Sequence, residues 1–266
     1  MLLFLSVFIF FAGLIIGSFL NCAAYRLYQE ISFVSGRSFC PECKHTLAWY
    51  DLIPVFSFVF LKGKCRYCGK KISLQYPLAE LGTGMIFLTV FLATYDPHLS
   101  VLGSLISLAY MLIISSLLIV IFISDLKWFI IPDEALIAAL GVTVFFHLYN
   151  FIFNSFTVGQ ALPFLYSGLG SLAFFLGIFL LTKGKAMGFG DVKFSFFMGL
   201  FLGWPMIAVA LFLAFFSGAI IGLILIALKK KGLKSEVPFG PFLIFGIFTA
   251  MIWGRELVNY YLSFLA

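Results

Sequence analysis

Charge is what this sequence has least of. Only 11% of its 266 residues are Asp, Glu, Lys or Arg, against 63% hydrophobic, and the mean hydropathy is +1.13. A water-soluble domain must keep its surface wet, so this scarcity excludes one and predicts a polytopic membrane protein. Cysteine is scarce too: five in a chain of this length exclude a secreted disulfide scaffold. Residues 1–25 carry no charge and so lack the basic start of a cleavable signal; the segment is long enough to span and stay. There is no internal repeat of the transporter kind, no low-complexity tail and no second soluble domain. The net charge of +6 does not imply nucleic acid, because membrane proteins collect Lys and Arg in cytoplasmic loops.

What is present is a series of apolar runs. Eight are read, at 2–20, 77–95, 101–124, 133–150, 161–182, 190–203, 205–228 and 239–258. The fold class expected is an all-α membrane protein of about eight transmembrane helices. Polar residues around 150–160 divide the uncharged stretch 135–182, and Gly203-Trp204-Pro205 divides the one beginning at Phe194. The sixth span is short, and a short or broken membrane helix usually lines a cavity, because its free backbone groups need polar partners. If residues 21–76 are cytoplasmic, eight crossings leave only Arg255 of the 17 Lys and Arg outside. That asymmetry sets both termini outside the cytoplasm. The organisation expected is a first helix at 1–20, a cytoplasmic four-cysteine loop at 21–76 and a seven-helix core at 77–266.

The loop reads Cys40-Pro41-Glu42-Cys43, 21 residues, then Cys65-Arg66-Tyr67-Cys68. Each pair can chelate from a tight turn, and four thiolates make a closed tetrahedral site for structural zinc. Cys22 is left over and reads as a small buried hydrophobe.

Acids are few, so each can be weighed. Asp96 precedes a proline in an outer loop, Asp133 and Glu134 sit at a helix start behind Pro132, and Glu236 precedes a rigid Pro238-Phe239-Gly240-Pro241 turn. Glu80, just inside the second span, divides between a first-turn acid and a substrate or methyl-donor contact. Asp125 closes the uncharged run 101–124, at a helix C-terminus where the dipole disfavours an anion. Asp191 ends Gly188-Phe189-Gly190-Asp191, and the two glycines allow the backbone to bend and approach a ligand. An Asp at the centre of a membrane helix costs roughly 2.5–3.5 kcal/mol, less near the interface. Ionisable groups at such depth are functional candidates. Both aspartates lie toward the cytoplasmic ends of their helices, and two carboxylates suffice to hydrolyse a peptide bond without a metal.

The chain resembles the type IV prepilin peptidases, membrane aspartic proteases of the GxGD class, over nearly its whole length. The likeness rests on Gly17-Ser18-Phe19-Leu20-Asn21 with Tyr25-Arg26-Leu27, both Cys pairs, the 49–54 and 72–81 segments, Asp125 with Pro132-Asp133, Gly188-Phe189-Gly190-Asp191-Val192-Lys193, and Pro238-Phe239-Gly240-Pro241. It departs from the family at Cys22-Ala23-Ala24 and lacks a proline after Leu27. The resemblance implies that Asp125 and Asp191 are the catalytic pair, with Gly188 and Gly190 in the catalytic loop. It implies a bacterial cytoplasmic-membrane enzyme that removes the leader of prepilins or pseudopilins on the cytoplasmic side. It further implies N-methylation of the new terminus, with S-adenosylmethionine as donor and membrane lipid as surroundings. No Gly-rich nucleotide turn is present to place the donor. Three rival readings are a peptidase without methyl transfer, an ion-coupled transporter and a zinc-bearing membrane scaffold. The first should lack the cysteine loop, the second should show repeated halves, and the third leaves Asp125 and Asp191 without purpose.

Overall fold

The computed structural model describes residues 2–32, 36–95, 100–229 and 237–264. Asp96, Glu236, Lys230, Lys231 and Lys234 lie outside the described residues. The fold is helical: α1 (Leu2–Tyr28), α2 (Phe56–Phe60), α3 (Gln75–Thr94), α4 (Val101–Trp128), α5 (Asp133–Phe153), α6 (Val158–Thr182), α7 (Phe189–Leu202), α8 (Met206–Ala227) and α9 (Gly240–Ser263). Among the described residues, β-structure is limited to two isolated bridges.

Each of the eight apolar runs becomes a helix, and seven of these helices are long and apolar enough to cross a membrane. The eighth, α7, has 14 residues and is about 21 Å long, less than a hydrocarbon core of about 30 Å. It stops at Gly203, whose φ of 66° and ψ of 179° suit glycine alone. α1 runs two turns beyond its expected end at residue 20, because helix geometry continues past the apolar stretch that the hydropathy marks. Cys22 therefore lies within α1, half-buried.

The chain forms two compact units, residues 1–123 and 124–266, with the division inside α4. In the first, α1 lies along α3. Small residues make this possible. A Cβ on Gly13 would sit 2.7 Å from the Gly84 Cα, and one on Gly17 would sit 2.8 Å from Thr83 Oγ1 and 2.9 Å from the Glu80 Cα. Two glycines one turn apart are the usual way for membrane helices to approach closely. Gly17→Val is expected to destabilise the protein by about 1–3 kcal/mol, read as a lower Tm of the full chain in detergent, because the clash is with the Glu80 backbone as well as with Thr83. An unchanged Tm would show that α1 does not depend on this approach.

In the second unit α7 is the hub, packing against α5, α6, α8 and α9. Eight of its 14 residues are buried, including Phe194, Phe197 and Met198, which are fully enclosed. Gly199 has no room for a side chain against the backbone of Ser167 and Gly168 in α6. The Ser171 hydroxyl donates across the same contact to the Ser195 carbonyl at 2.7 Å. His147 Nε2 in α5 donates to the Leu200 carbonyl at 3.1 Å. A short helix that cannot reach both membrane faces is thus held by neighbours on all sides.

Candidate active site and metal centre

Both aspartates belong to the second unit, and both are buried. Asp125 lies in the last turn of α4 and Asp191 in the first turn of α7. Their carboxylates are near enough for Asp125 to act electrostatically on Asp191. Each is held by a backbone amide. The Gly188 N–H donates to Asp191 Oδ2 at 3.2 Å, closing the first turn of α7, where the helix dipole favours an anion. Asp125 sits at the unfavourable end of its helix, and the Gly240 N–H at the start of α9 donates to its Oδ2 at 2.8 Å.

Gly240 is the residue that reading the sequence missed. A Cβ there would lie 2.6 Å from Asp125 Oδ2, so only glycine admits the carboxylate. The signal was the Pro238-Phe239-Gly240-Pro241 turn, read as structural only. Neither of the two glycines before Asp191 adopts a left-handed φ. Gly188 has φ of −75°, open to any residue. A Cβ on Gly190 would meet the Ile131 side chain at 3.2 Å. Close approach, not conformational freedom, is what Gly190 supplies. Beside it, Lys193 of α7 forms an ion pair with Asp133 at the start of α5. The buried Ser124 hydroxyl next to Asp125 has no hydrogen-bond partner among the described residues.

The first unit carries the cysteines. The Sγ atoms of Cys40, Cys43, Cys65 and Cys68 all lie within 4.8 Å of one another, a set that can hold a metal ion. The two pairs are built alike. The Lys44 N–H donates to the Cys40 carbonyl and the Gly69 N–H to the Cys65 carbonyl, each at 2.9 Å. Cys40 and Cys65 in turn donate to the carbonyls of His45 (3.0 Å) and Lys70 (2.8 Å). The fifth position of each turn is left-handed, φ 60° at Lys44 and 70° at Gly69. In the second turn the amides of Tyr67 and Cys68 face the Cys65 sulfur. Asp51 ties the intervening 3₁₀ turn, residues 49–52, to the second pair, accepting from Arg66 Nε at 2.7 Å, the Tyr67 hydroxyl at 3.0 Å and the Ala48 N–H at 3.2 Å. Burial works to raise Asp51, but these bonds outweigh it and hold its carboxyl below the usual range. Tyr67 is pushed up to about 12 by burial and by Asp51.

Glu80 is buried in α3, with Oε2 accepting the Val55 N–H at 2.7 Å and a further bond from the Ser18 side chain. A cavity of about 540 Å³ between α6 and α8 is lined by Pro163, Tyr166, Phe174, Trp204, Ser167 and Ser171 among others. Both serine hydroxyls already donate to backbone carbonyls.

Residues 11–94 match the family model of the bacterial Peptidase A24 N-terminal domain, and residues 111–223 match that of the type IV leader peptidase family. The chain is 30% identical to a prepilin leader peptidase/N-methyltransferase of Bacillus subtilis (strain 168), covering 96% of this chain and 97% of the relative. It is 31% identical to one of Pectobacterium carotovorum subsp. carotovorum, over 90% of each chain. A third, of Klebsiella pneumoniae, is 35% identical over 78% of this chain and 89% of its own. No solved structure matches.

Proposed function

The chain belongs to the type IV leader peptidase family, and on that footing we propose that it cleaves the leader from prepilins or pseudopilins and N-methylates the new terminus. The observation that carries the peptidase is the pairing of Asp125 with Asp191, two buried carboxylates in electrostatic reach of each other, each steadied by a glycine amide. We assign these two as the catalytic pair and place them at the cytoplasmic face on the loop charges. In the division we favour, the helix at 1–20 and the loop at 21–76 precede a seven-helix peptidase core at 77–266.

Two close carboxylates share one proton, because both cannot ionise cheaply. The ionised partner takes a proton from water as its oxygen bonds to the scissile carbonyl carbon. The protonated partner donates to the carbonyl oxygen. The C–N bond of the resulting gem-diol then breaks as a proton passes to the leaving nitrogen. The pair titrates as a unit, so the roles belong to the dyad. The Gly240 amide keeps one Asp125 oxygen ready to bear charge. Gly188 and Gly190 form the catalytic loop, one by its N–H and the other by its missing side chain.

The metal is zinc in our reading. With Zn–S bonds of about 2.3 Å, thiolates of a tetrahedral site stand about 3.8 Å apart. Cys40 Sγ and Cys68 Sγ are 4.0 Å apart, so the cluster fits. The methyl donor we infer is S-adenosylmethionine. We do not assign the donor to the cavity between α6 and α8, whose lining carries no charged group and whose two serine hydroxyls donate to backbone carbonyls. Glu80 we assign to holding the loop, because its carboxylate is already engaged.

The test is a reaction of detergent-solubilised full chain with a model prepilin and S-adenosylmethionine, read by intact mass. Leader loss plus one methyl is the expected product. Leader loss alone would remove the methyl transfer from this reading. An intact prepilin, under conditions in which a family relative cleaves it, would remove the peptidase.

A further inference from the structure

We propose that residues 49–60, between the two cysteine pairs, form an interfacial membrane anchor that lies on anionic lipid. Three observations converge on it. The segment is apolar yet turned outward: Trp49, Phe56, Val59 and Phe60 are 76%, 51%, 66% and 81% exposed. Phe58 is half-buried, with its ring beside Gly63. In a loop such a cluster needs a cover, since Trp and Phe side chains gain most where one side is apolar.

The second observation sets its depth. The Val55 N–H is bonded to Glu80 Oε2. α3 has 20 residues, about 30 Å, so its whole length is needed to cross the hydrocarbon core. Its first residue, Gln75, then lies near the boundary, and Glu80 lies five residues further in, about 7 Å. That is the depth at which interfacial helices bury their apolar face, about 5–10 Å. Val55 is held there despite a φ of 63°, unusual for a β-branched residue. Glu80 is thus the positioning residue for the anchor.

The third is charge. Lys62 and Lys64 follow α2 and are exposed, while Asp51, the acid within the segment, is already paired with Arg66. Basic residues beside an apolar face complement anionic headgroups. The inference rests on α1 and α3 crossing the membrane and not on the proposed chemistry.

The test is photolabelling of the full chain in vesicles of phosphatidylcholine with phosphatidylglycerol, using a diazirine on the acyl chain and mapping adducts by mass spectrometry. Adducts are expected on 56–60, with loss of these adducts in F56S/F60S while those on α4 persist. Retained zinc in that variant shows that the loop has kept its fold. Glu80→Gln, which keeps the shape but weakens the bond to Val55, should reduce the same adducts. Two results would overturn the anchor. One is the absence of adducts on 56–60 beside a labelled α4. The other is adduct-free 56–60 that becomes shielded from aqueous labels only when prepilin is added, which would give the surface to a protein partner.

Discussion

Asp125→Asn and Asp191→Asn are each expected to lower leader cleavage by on the order of 10⁴-fold while leaving the protein folded. The size follows from removing the general acid–base pair, for which positioned groups contribute up to about 10⁴-fold. Asparagine keeps the shape and can still accept the Gly240 or Gly188 amide through its carbonyl oxygen, so the local turns survive. It cannot take or give the proton. It also removes a charge from a buried site, so Tm should hold or rise. A structural aspartate would behave in the opposite way, with lower Tm and preserved turnover. Intact-mass assay of prepilin alongside a melting curve separates the two, and full cleavage by either variant would sink the assignment. Gly240→Ala should give a milder version of the same loss, since the added carbon displaces the Asp125 carboxylate without removing it.

The second large effect concerns the cysteine loop. Between residues 36 and 74 only Cys40 and Cys65 are buried. A stretch with no apolar interior cannot hold itself together by burial, so on the proposed zinc reading the metal supplies the cohesion. Structural zinc contributes on the order of 10–16 kcal/mol in small modules. Stripping it with a chelator, or replacing Cys40 and Cys65 with Ser, should unfold this loop while the membrane helices persist. Hydrogen exchange on the full chain reads this directly: the amides of Lys44 and Gly69, bonded to the Cys40 and Cys65 carbonyls, should lose protection. Protection in α7 should not change. Unaltered exchange in the loop after verified metal loss would show that the metal is not what folds it.

Hydropathy determined the helices because the cost of burying a peptide segment in lipid is set by that segment's own residues. The apolar runs therefore needed no knowledge of partners, and neither did Asp125 and Asp191, whose oddity is a local cost. The Cys pairs were legible for the same reason, since a chelating turn is made within five residues. Even the end of α7 was marked by Gly203. What lay beyond the sequence were contacts between distant residues. The Gly240 amide meets a carboxylate 115 positions earlier. Glu80 looked like a first-turn acid or a ligand contact, and only folding brought it the Val55 amide from the loop. Gly190 looked like a point where the backbone bends and approaches a ligand, and its contact with Ile131, in the connection between α4 and α5, was not legible from the sequence. Composition and spacing carry energies that are local to the chain, whereas the reason a particular glycine or carboxylate must stand where it does is the atom packed against it. That atom is chosen by the tertiary fold alone.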